Sequence, residues 1–307
     1  MRVPLPPSRF ILSAFLVICL TVSAGWAVII YHSRPVLDHP YFDAPHFRII
    51  AHRGGAGLGP ENTIETFKRS LAAGADTLEM DLRMTKDGHI VILHDATVER
   101  TTDGEGSVEK MSLSQIKALD AGYRWTVDGG HSFPYRGSGL TIPKLEEVFQ
   151  LFPGTPMLIE IKDRRSKISD LLCELIERYR KTYTVLIASF DTKVLKKFRC
   201  VCPQVASSGG LMETLTFSLL NKVGLTSLYG PKMQALHVPK TANGEIVATR
   251  QFVKAAHERN LKVEVWTVND LDDLRLFMAA GVDGIMTDYP DRLLKLRNSI
   301  AMESDEQ

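Results

Sequence analysis

The chain has 307 residues, of which 44% are hydrophobic and 24% charged, and its formal net charge is +1. These values describe a globular protein long enough for a large core; they exclude a disordered or polybasic chain, and no nucleic-acid-binding motif occurs, so no nucleic-acid partner is expected. The four cysteines, Cys19, Cys173, Cys200 and Cys202, have neither zinc-ligand nor disulfide-framework spacing and read as buried or tolerated thiols.

Residues 1–9 form a flank that carries Arg2 and Arg9. Residues 10–31, FILSAFLVICLTVSAGWAVIIY, are uncharged and about as long as a bilayer span requires. A cleavable signal peptide competes, because Val22-Ser23-Ala24 resembles a small-residue cleavage site. The apolar run continues past it through Trp26–Ile30, so the expectation is an uncleaved single-pass membrane anchor. The basic flanks leave open which side of the membrane would hold the rest of the chain. Residues 32–46 hold three prolines and no apolar period, and read as a linker.

From residue 47 to about 300, short apolar runs alternate with amphipathic stretches over the usual length of one (β/α)8 barrel, leaving 301–307 as a tail. The strand candidates are Phe47–Ala51, Thr77–Met84, Ile90–His94, Met157–Lys162, Thr184–Ser189, Val205–Ser208, Ala235–Val238, Lys262–Val268 and Gly284–Thr287. Helices are expected at Asn62–Ala73, Leu145–Phe152, Ser169–Lys181, Thr249–Arg259 and Leu271–Ala279. The runs outnumber the strands of a barrel. The second and third, separated only by Thr85–His89, read as a hairpin turning at Asp87-Gly88. Pairing outward from that turn sets residue 84 against 91 and Asp81 against His94; a bulge would shift it by one. Residues 95–142, rich in Gly, Ser, Thr and Asp with one helical stretch at Leu113–Leu119, form a long excursion of the kind found near active sites. Residues 211–236 are apolar but too broken by Gly224, Gly230 and Pro231 to span a bilayer. They read as a barrel helix with its loop, or as a surface that touches lipid.

The chemistry begins at AHRGGAGLGPENT, residues 51–63. Gly55-x-Gly57 suits a dinucleotide fingerprint, but the third glycine position is Pro60, which has no backbone donor; no nucleotide cofactor is expected. His52 and Arg53, at the C-terminal end of a barrel strand, point into the mouth, and the glycines beyond them would let a ligand approach the backbone. Asp76 reads as a strand-start residue. Glu79 and Asp81 share one face of an extended segment, where like charges need an offset such as a hard divalent cation. Glu160 and Lys162 repeat the spacing in an apolar strand and suit metal ligation and phosphate neutralisation. Trp266 stands late in a strand where it could wall a pocket. Two histidines, three carboxylates and two cations on successive strands describe metal-assisted phosphodiester cleavage.

With these residues in place, the chain resembles the glycerophosphodiester phosphodiesterase family. The matching segments are AHRGGAGLGPENTIETF, LEMDLRMTKDGHIVILHDATVERTTDGEG, IPKLEEVF, LIEIK, VEVWTVN and GIMTDYP, and the resemblance covers about residues 47–293. The resemblance implies a TIM barrel with a small insertion after the third strand, here about 95–142. It implies metal ligands at Glu79, Asp81 and Glu160 for one Mg2+ or Ca2+, a catalytic pair at His52 and His94, phosphate contacts at Arg53 and Lys162, and a pocket aromatic at Trp266. Glu61-Asn62 match a loop motif read as structural. The implied reaction is hydrolysis of a glycerophosphodiester to sn-glycerol 3-phosphate and an alcohol. The apolar N-terminus and residues 211–236 also suit a lysophospholipase D that releases lysophosphatidic acid from a lysophospholipid, with membrane lipid as partner. A catalytically silent lipid- or phosphate-binding module on the same scaffold is the reading from another class.

Overall fold

The computed structural model describes residues 11–21, 23, 33–43, 47–165 and 167–305. Its strands are β1 (Arg48–Ala51), β2 (Thr77–Met84), β3 (Ile90–Ile92), β4 (Met157–Ile161), β5 (Val185–Ala188), β6 (Ala206–Ser207), β7 (Ala235–Pro239), β8 (Thr241–Ala242), β9 (Glu245–Ile246), β10 (Lys262–Trp266) and β11 (Gly284–Thr287). The helices of the same region are α1 (Ile64–Ala72), α2 (Leu113–Lys117), α3 (Leu145–Leu151), α4 (Lys167–Arg178), α5 (Thr192–Val201), α6 (Leu211–Lys222), α7 (Arg250–His257), α8 (Leu271–Ala280) and α9 (Pro290–Asp305).

Eight strands pair in the order β6-β5-β4-β2-β1-β11-β10-β7, and every pairing along this path is parallel. A single parallel bridge, Ser208 to Ala235, brings β6 to β7, so the sheet is a nearly closed barrel with helices outside, consistent with a TIM barrel. The remaining run, β3, pairs antiparallel with β2, as the excess of apolar runs required.

The two-residue period of a strand decides which side chains enter the barrel. Ile50, Leu158, Leu186, Ala188, Ala206, Ala235 and Met286 pack together inside it. Residues of the opposite parity, among them Leu78, Met80, Leu82, Ile159, Ile161 and Ile187, pack outward on Phe67 of α1, Phe149 of α3, Leu172 and Ile176 of α4, and Phe198 of α5. Ile49, Leu236, Val238, Val263, Val265 and Ile285 do the same against Phe217 of α6, Phe252 of α7, Phe277 of α8 and Leu293 of α9. Parity with Ile50 therefore turns Arg48 and His52 inward, and parity with Leu158 does the same for Glu160 and Lys162. At the entry end of the strands, Arg48 pairs with the fully buried Glu264, whose other oxygen lies 2.9 Å from His237 Nε2. The Arg48 guanidinium stands 4.8 Å from the Tyr41 ring centre and 4.4 Å from that of Phe42. The turn Pro40–Phe42 thus packs beneath the barrel, although it lies in the stretch that reads as a linker.

Several expectations change. The membrane anchor expected at residues 10–31 does not stand: among the described residues no helix is long and apolar enough to cross a membrane. Residues 11–21 are helical, and a helix of that length rises about 16 Å against a hydrocarbon core of about 30 Å. Residues 10, 22 and 24–31 of the expected anchor lie outside the described residues.

The hairpin register is one residue away from the simple pairing: Met84 opposes Ile90 and Leu82 opposes Ile92. The cause is a three-residue loop, Lys86–Gly88, closed by Thr85 and His89, with Gly88 at φ +85°. Residues 211–222 form α6, followed by a short 3-10 turn at Thr226–Leu228. Helices α5 and α9 were not expected; the apolar period of α9 is weak, whereas α5 is amphipathic and buries Leu195 and Phe198.

The thiol reading fails for two cysteines, because Cys173 and Cys202 form a disulfide across a sequence separation of 29. They meet because α4 packs beside α5, a neighbourhood that spacing along the chain does not report. Opening that bond, by reductant or by Cys202→Ser, should cost about 3–4 kcal/mol through loop-closure entropy of the unfolded chain. Urea unfolding with and without reductant measures it, and identical midpoints would contradict the estimate.

Candidate active site

All eight residues singled out in the sequence line one cavity of about 370 Å³ at the C-terminal ends of the barrel strands: His52, Arg53, Glu79, Asp81, His94, Glu160, Lys162 and Trp266. Its walls differ in chemistry. Part of the lining is charged; an apolar part is made by Leu158, Ala188, Phe190, Leu211, Pro239, Trp266 and Met286. The Trp266 and Phe190 rings meet edge to face at 5.5 Å.

The charged side starts where β1 ends. Arg53, Gly54 and Gly55 have φ of +48°, +80° and +90°, so the chain reverses abruptly after His52. The reversal aims the Arg53 backbone N–H at a Glu79 carboxylate oxygen, to which it donates. The glycines do not open space for a ligand, as the sequence suggested. A Cβ on Gly54 would lie 2.3 Å from Phe67, one on Gly55 2.2 Å from Ser70 Oγ, and one on Gly57 2.3 Å from Tyr289. They let the loop lie flat on its own barrel.

Glu79, Asp81 and Glu160 present carboxylate oxygens within 4.8 Å of one another. Glu79 is 3% exposed and Asp81 1%. Lys162 Nζ lies 2.8 Å from Glu160 and 3.5 Å from Asp81, while Arg53 Nε lies 3.9 Å from Asp81. Asn62, read from the sequence as structural, donates from Nδ2 to Asp81 Oδ2 at 3.0 Å and so aims that carboxylate. Burial, reinforced by Asp81, pushes the Glu79 carboxyl well above its ordinary range. Burial also raises Glu160, against the pull of Lys162. A buried cluster of hard oxygen donors short of positive charge fits a hard divalent cation.

Each histidine is anchored through Nδ1 by a carboxylate and lines the cavity, where Thr267 Oγ1 lies 3.5 Å from His52 Nε2. His52 Nδ1 lies 2.7 Å from Asp288 Oδ1, and Asn269 Nδ2 donates to the other Asp288 oxygen at 2.7 Å. Burial opposes protonation of His52, but Asp288 and then Glu79 outweigh it and raise its pKa. His94 Nδ1 lies 2.6 Å from Asp95, which pairs with Arg100; Arg100 in turn holds Glu61, the partner of Arg53. Burial keeps His94 below the ordinary imidazole value over the opposing pull of Asp81 and Asp95. Burial works against the charged form of Asp95 as well, yet Arg100 and His94 bring it down to about 2. Arg83 fixes the backbone here, donating to the carbonyls of His94 and Lys162 at 2.8 and 3.1 Å.

Sequence reasoning gave Asp288, Arg100 and Arg83 no role. Asp288 had a usable signal: it is an acid directly after an apolar barrel strand. Asp76, read as a strand-start residue, accepts from the Ile49 N–H and from Arg297, each at 2.8 Å, and so latches α9 to the barrel.

A model of the Glycerophosphoryl diester phosphodiesterase family matches residues 52–292. The chain belongs to this family. It is 35% identical over 255 residues to a glycerophosphodiester phosphodiesterase of Caldanaerobacter subterraneus, which covers 81% of this chain and 96% of the relative. It is 27% identical over 287 residues to a lysophospholipase D of Mus musculus, 86% of each chain. In fold it is similar to a phosphodiesterase of Oleispira antarctica solved with the product sn-glycerol-3-phosphate. There the TM-score is 0.65 and the identity 24%, over 85% of this chain and all of that one. Glycerophosphodiester hydrolysis is accordingly the activity of this family member.

The anchoring of His52 has a measurable consequence. In metal-free protein, Asp288→Asn removes the acceptor that favours the imidazolium, so His52 should titrate at lower pH while His94 keeps its value. Histidine ring NMR across the pH range reads both; an unmoved His52 would show that Asp288 does not set its charge.

Proposed function

We propose that His52 and His94 are the proton-transfer pair of this glycerophosphodiesterase, working beside a cation held by the three carboxylates. The observation that carries the reading is the common cavity, in which two imidazoles, each held by a carboxylate at Nδ1, flank the acidic trio. When bound, one divalent cation, Mg2+ or Ca2+, supplies Lewis-acid polarisation of a phosphoryl oxygen, and Glu79, Asp81 and Glu160 are the residues that would hold it.

The remaining steps belong to the chain. Arg53 and Lys162 neutralise the non-bridging phosphate oxygens. His94, held neutral by burial, takes the proton of the attacking hydroxyl, either a water or the substrate's own glycerol 2-hydroxyl. His52, whose protonated form Asp288 favours, donates to the departing oxygen as the P–O bond breaks. With water as nucleophile this releases glycerol 3-phosphate and the alcohol directly; with the 2-hydroxyl it releases the alcohol and a cyclic phosphate, which a water then opens to glycerol 3-phosphate, so either route consumes one water. Trp266 and Phe190 supply apolar lining to the same cavity, with the Phe190 ring centre 5.4 Å from Lys162 Nζ. That apolar wall supports a second reading, in which the substrate is a lysophospholipid drawn from membrane lipid and the product is lysophosphatidic acid. The likeness to a lysophospholipase D points the same way.

His52→Ala should lower kcat on glycerophosphocholine by about 10²–10⁴-fold with the far-ultraviolet circular dichroism unchanged. Full activity in a folded His52→Ala protein would sink the assignment. Chelation by EDTA should silence the enzyme, added Mg2+ or Ca2+ should restore it, and Glu79→Ala should not be restored by either; an EDTA-insensitive enzyme would remove the cation from the reaction. Comparing glycerophosphocholine with lysophosphatidylcholine ranks the two substrate readings.

A further inference from the structure

We propose that the exposed face of α6 is a contact for a phospholipid surface and delivers amphiphilic glycerophosphodiesters into the cavity, a proposal that rests on the lipid-substrate reading above. Met212, Leu215, Leu219 and Val223 follow one another at spacings of three, four and four residues, so they form a single stripe along the helix and the residue after it. Met212, Leu219 and Val223 are 61%, 65% and 66% exposed. The orientation of the helix is fixed from behind, because Phe217 on the opposite face is fully buried against the rings of Tyr229 and Phe252. The apolar stripe is therefore what α6 turns outward. Apolar patches of this kind mark sites of interaction with protein or membrane.

Two observations select a lipid surface. The stripe is continuous with the active site: Leu211, at the head of α6, and Phe190 are each half exposed and also line the cavity. A protein seated on the stripe would stand at the cavity mouth and obstruct entry, whereas a lipid surface is itself the source of an amphiphilic substrate. The charges around the stripe also fit. Lys193 and Lys196 are exposed on α5, which packs beside α6, and Lys232 is exposed beyond the far end of α6, where Lys222 pairs with Glu245 at 3.3 Å. Glu213, the acid in the first turn of α6, is engaged by Arg199 at 2.7 Å. Basic residues beside an exposed apolar helix face suit phosphate headgroups over an acyl layer.

The test is flotation of the full chain with vesicles of phosphatidylcholine and phosphatidylglycerol, with Met212→Glu/Leu219→Glu compared with wild type. Vesicle affinity should fall about tenfold or more in the double variant. Turnover of dissolved glycerophosphocholine, which needs no surface, should stay at the wild-type level and certifies the fold. The milder Leu219→Gln should fall between the two in flotation. Wild-type flotation by both variants overturns the proposal and assigns the stripe to another occupant. Failure of wild-type protein to hydrolyse lysophosphatidylcholine would sink the lipid-substrate reading alone, because flotation is read without substrate.

Discussion

The arrangement on which the rest depends is the crowding of Glu79, Asp81 and Glu160 at one end of the barrel interior. Three carboxylates so close, and so far from water, repel one another and lose their hydration. The fold holds them with backbone and side-chain donors: the Arg53 N–H on Glu79, Asn62 on Asp81, Lys162 on Glu160. The other end of the same barrel makes an instructive contrast. There Glu264 is paired with Arg48 and has His237 Nε2 2.9 Å from its other oxygen, and aromatic rings close over the guanidinium. One charged layer pairs its acid with a guanidinium under aromatic rings, and the other crowds three acids beside two cations at the cavity. The second of these is the one proposed above to draw a divalent ion and an anionic substrate to the same place.

The two histidines are held from opposite parts of the chain, and barrel closure makes this possible. His52 at the end of β1 depends on Asp288, just beyond β11, and the two strands are hydrogen-bonded neighbours. His94 depends on the excursion that follows β3, through Asp95 and Arg100 to Glu61. Glu61 also holds Arg53, so the two histidine loops share one network of charges. Removing a member of such a chain perturbs its neighbours, so contributions measured singly will not add.

Most of the barrel was legible because its signals are local. Apolar runs such as Met157–Ile161, broken by a single acid, state both the strand and the residue that must face chemistry. β2 and β11 fall at their expected boundaries for the same reason. The unread features are those that only tertiary neighbourhood creates. Cys173 and Cys202 become partners through the packing of α4 on α5, and Asp288 becomes a histidine anchor through the pairing of β1 with β11. The glycines after His52 were seen as special, but the reason was misassigned: the need for positive φ is local, while the contacts that forbid a Cβ belong to Phe67, Ser70 and Tyr289. The apolar N-terminal stretch shows the limit of length and composition. Among the described residues it yields a helix at 11–21 that falls well short of a span.

The hairpin shows why a wrong register left the site intact. A one-residue slip within a ladder moves a side chain to the other face of the sheet. Asp81 opposes Leu93 rather than His94, so strict continuation of β3 would have turned His94 away. The ladder ends at Ile92, however, and the last bond before the chain leaves is Leu93 N–H to the Asp81 carbonyl. Beyond that point Arg83 grips the His94 carbonyl and Asp95 takes its ring nitrogen. The orientation of His94 is thus set by side-chain hydrogen bonds and not by strand parity. The acid trio tolerates no such freedom, because Glu79, Asp81 and Glu160 sit inside regular strands where a slip of one residue would carry each of them to the helix-facing side.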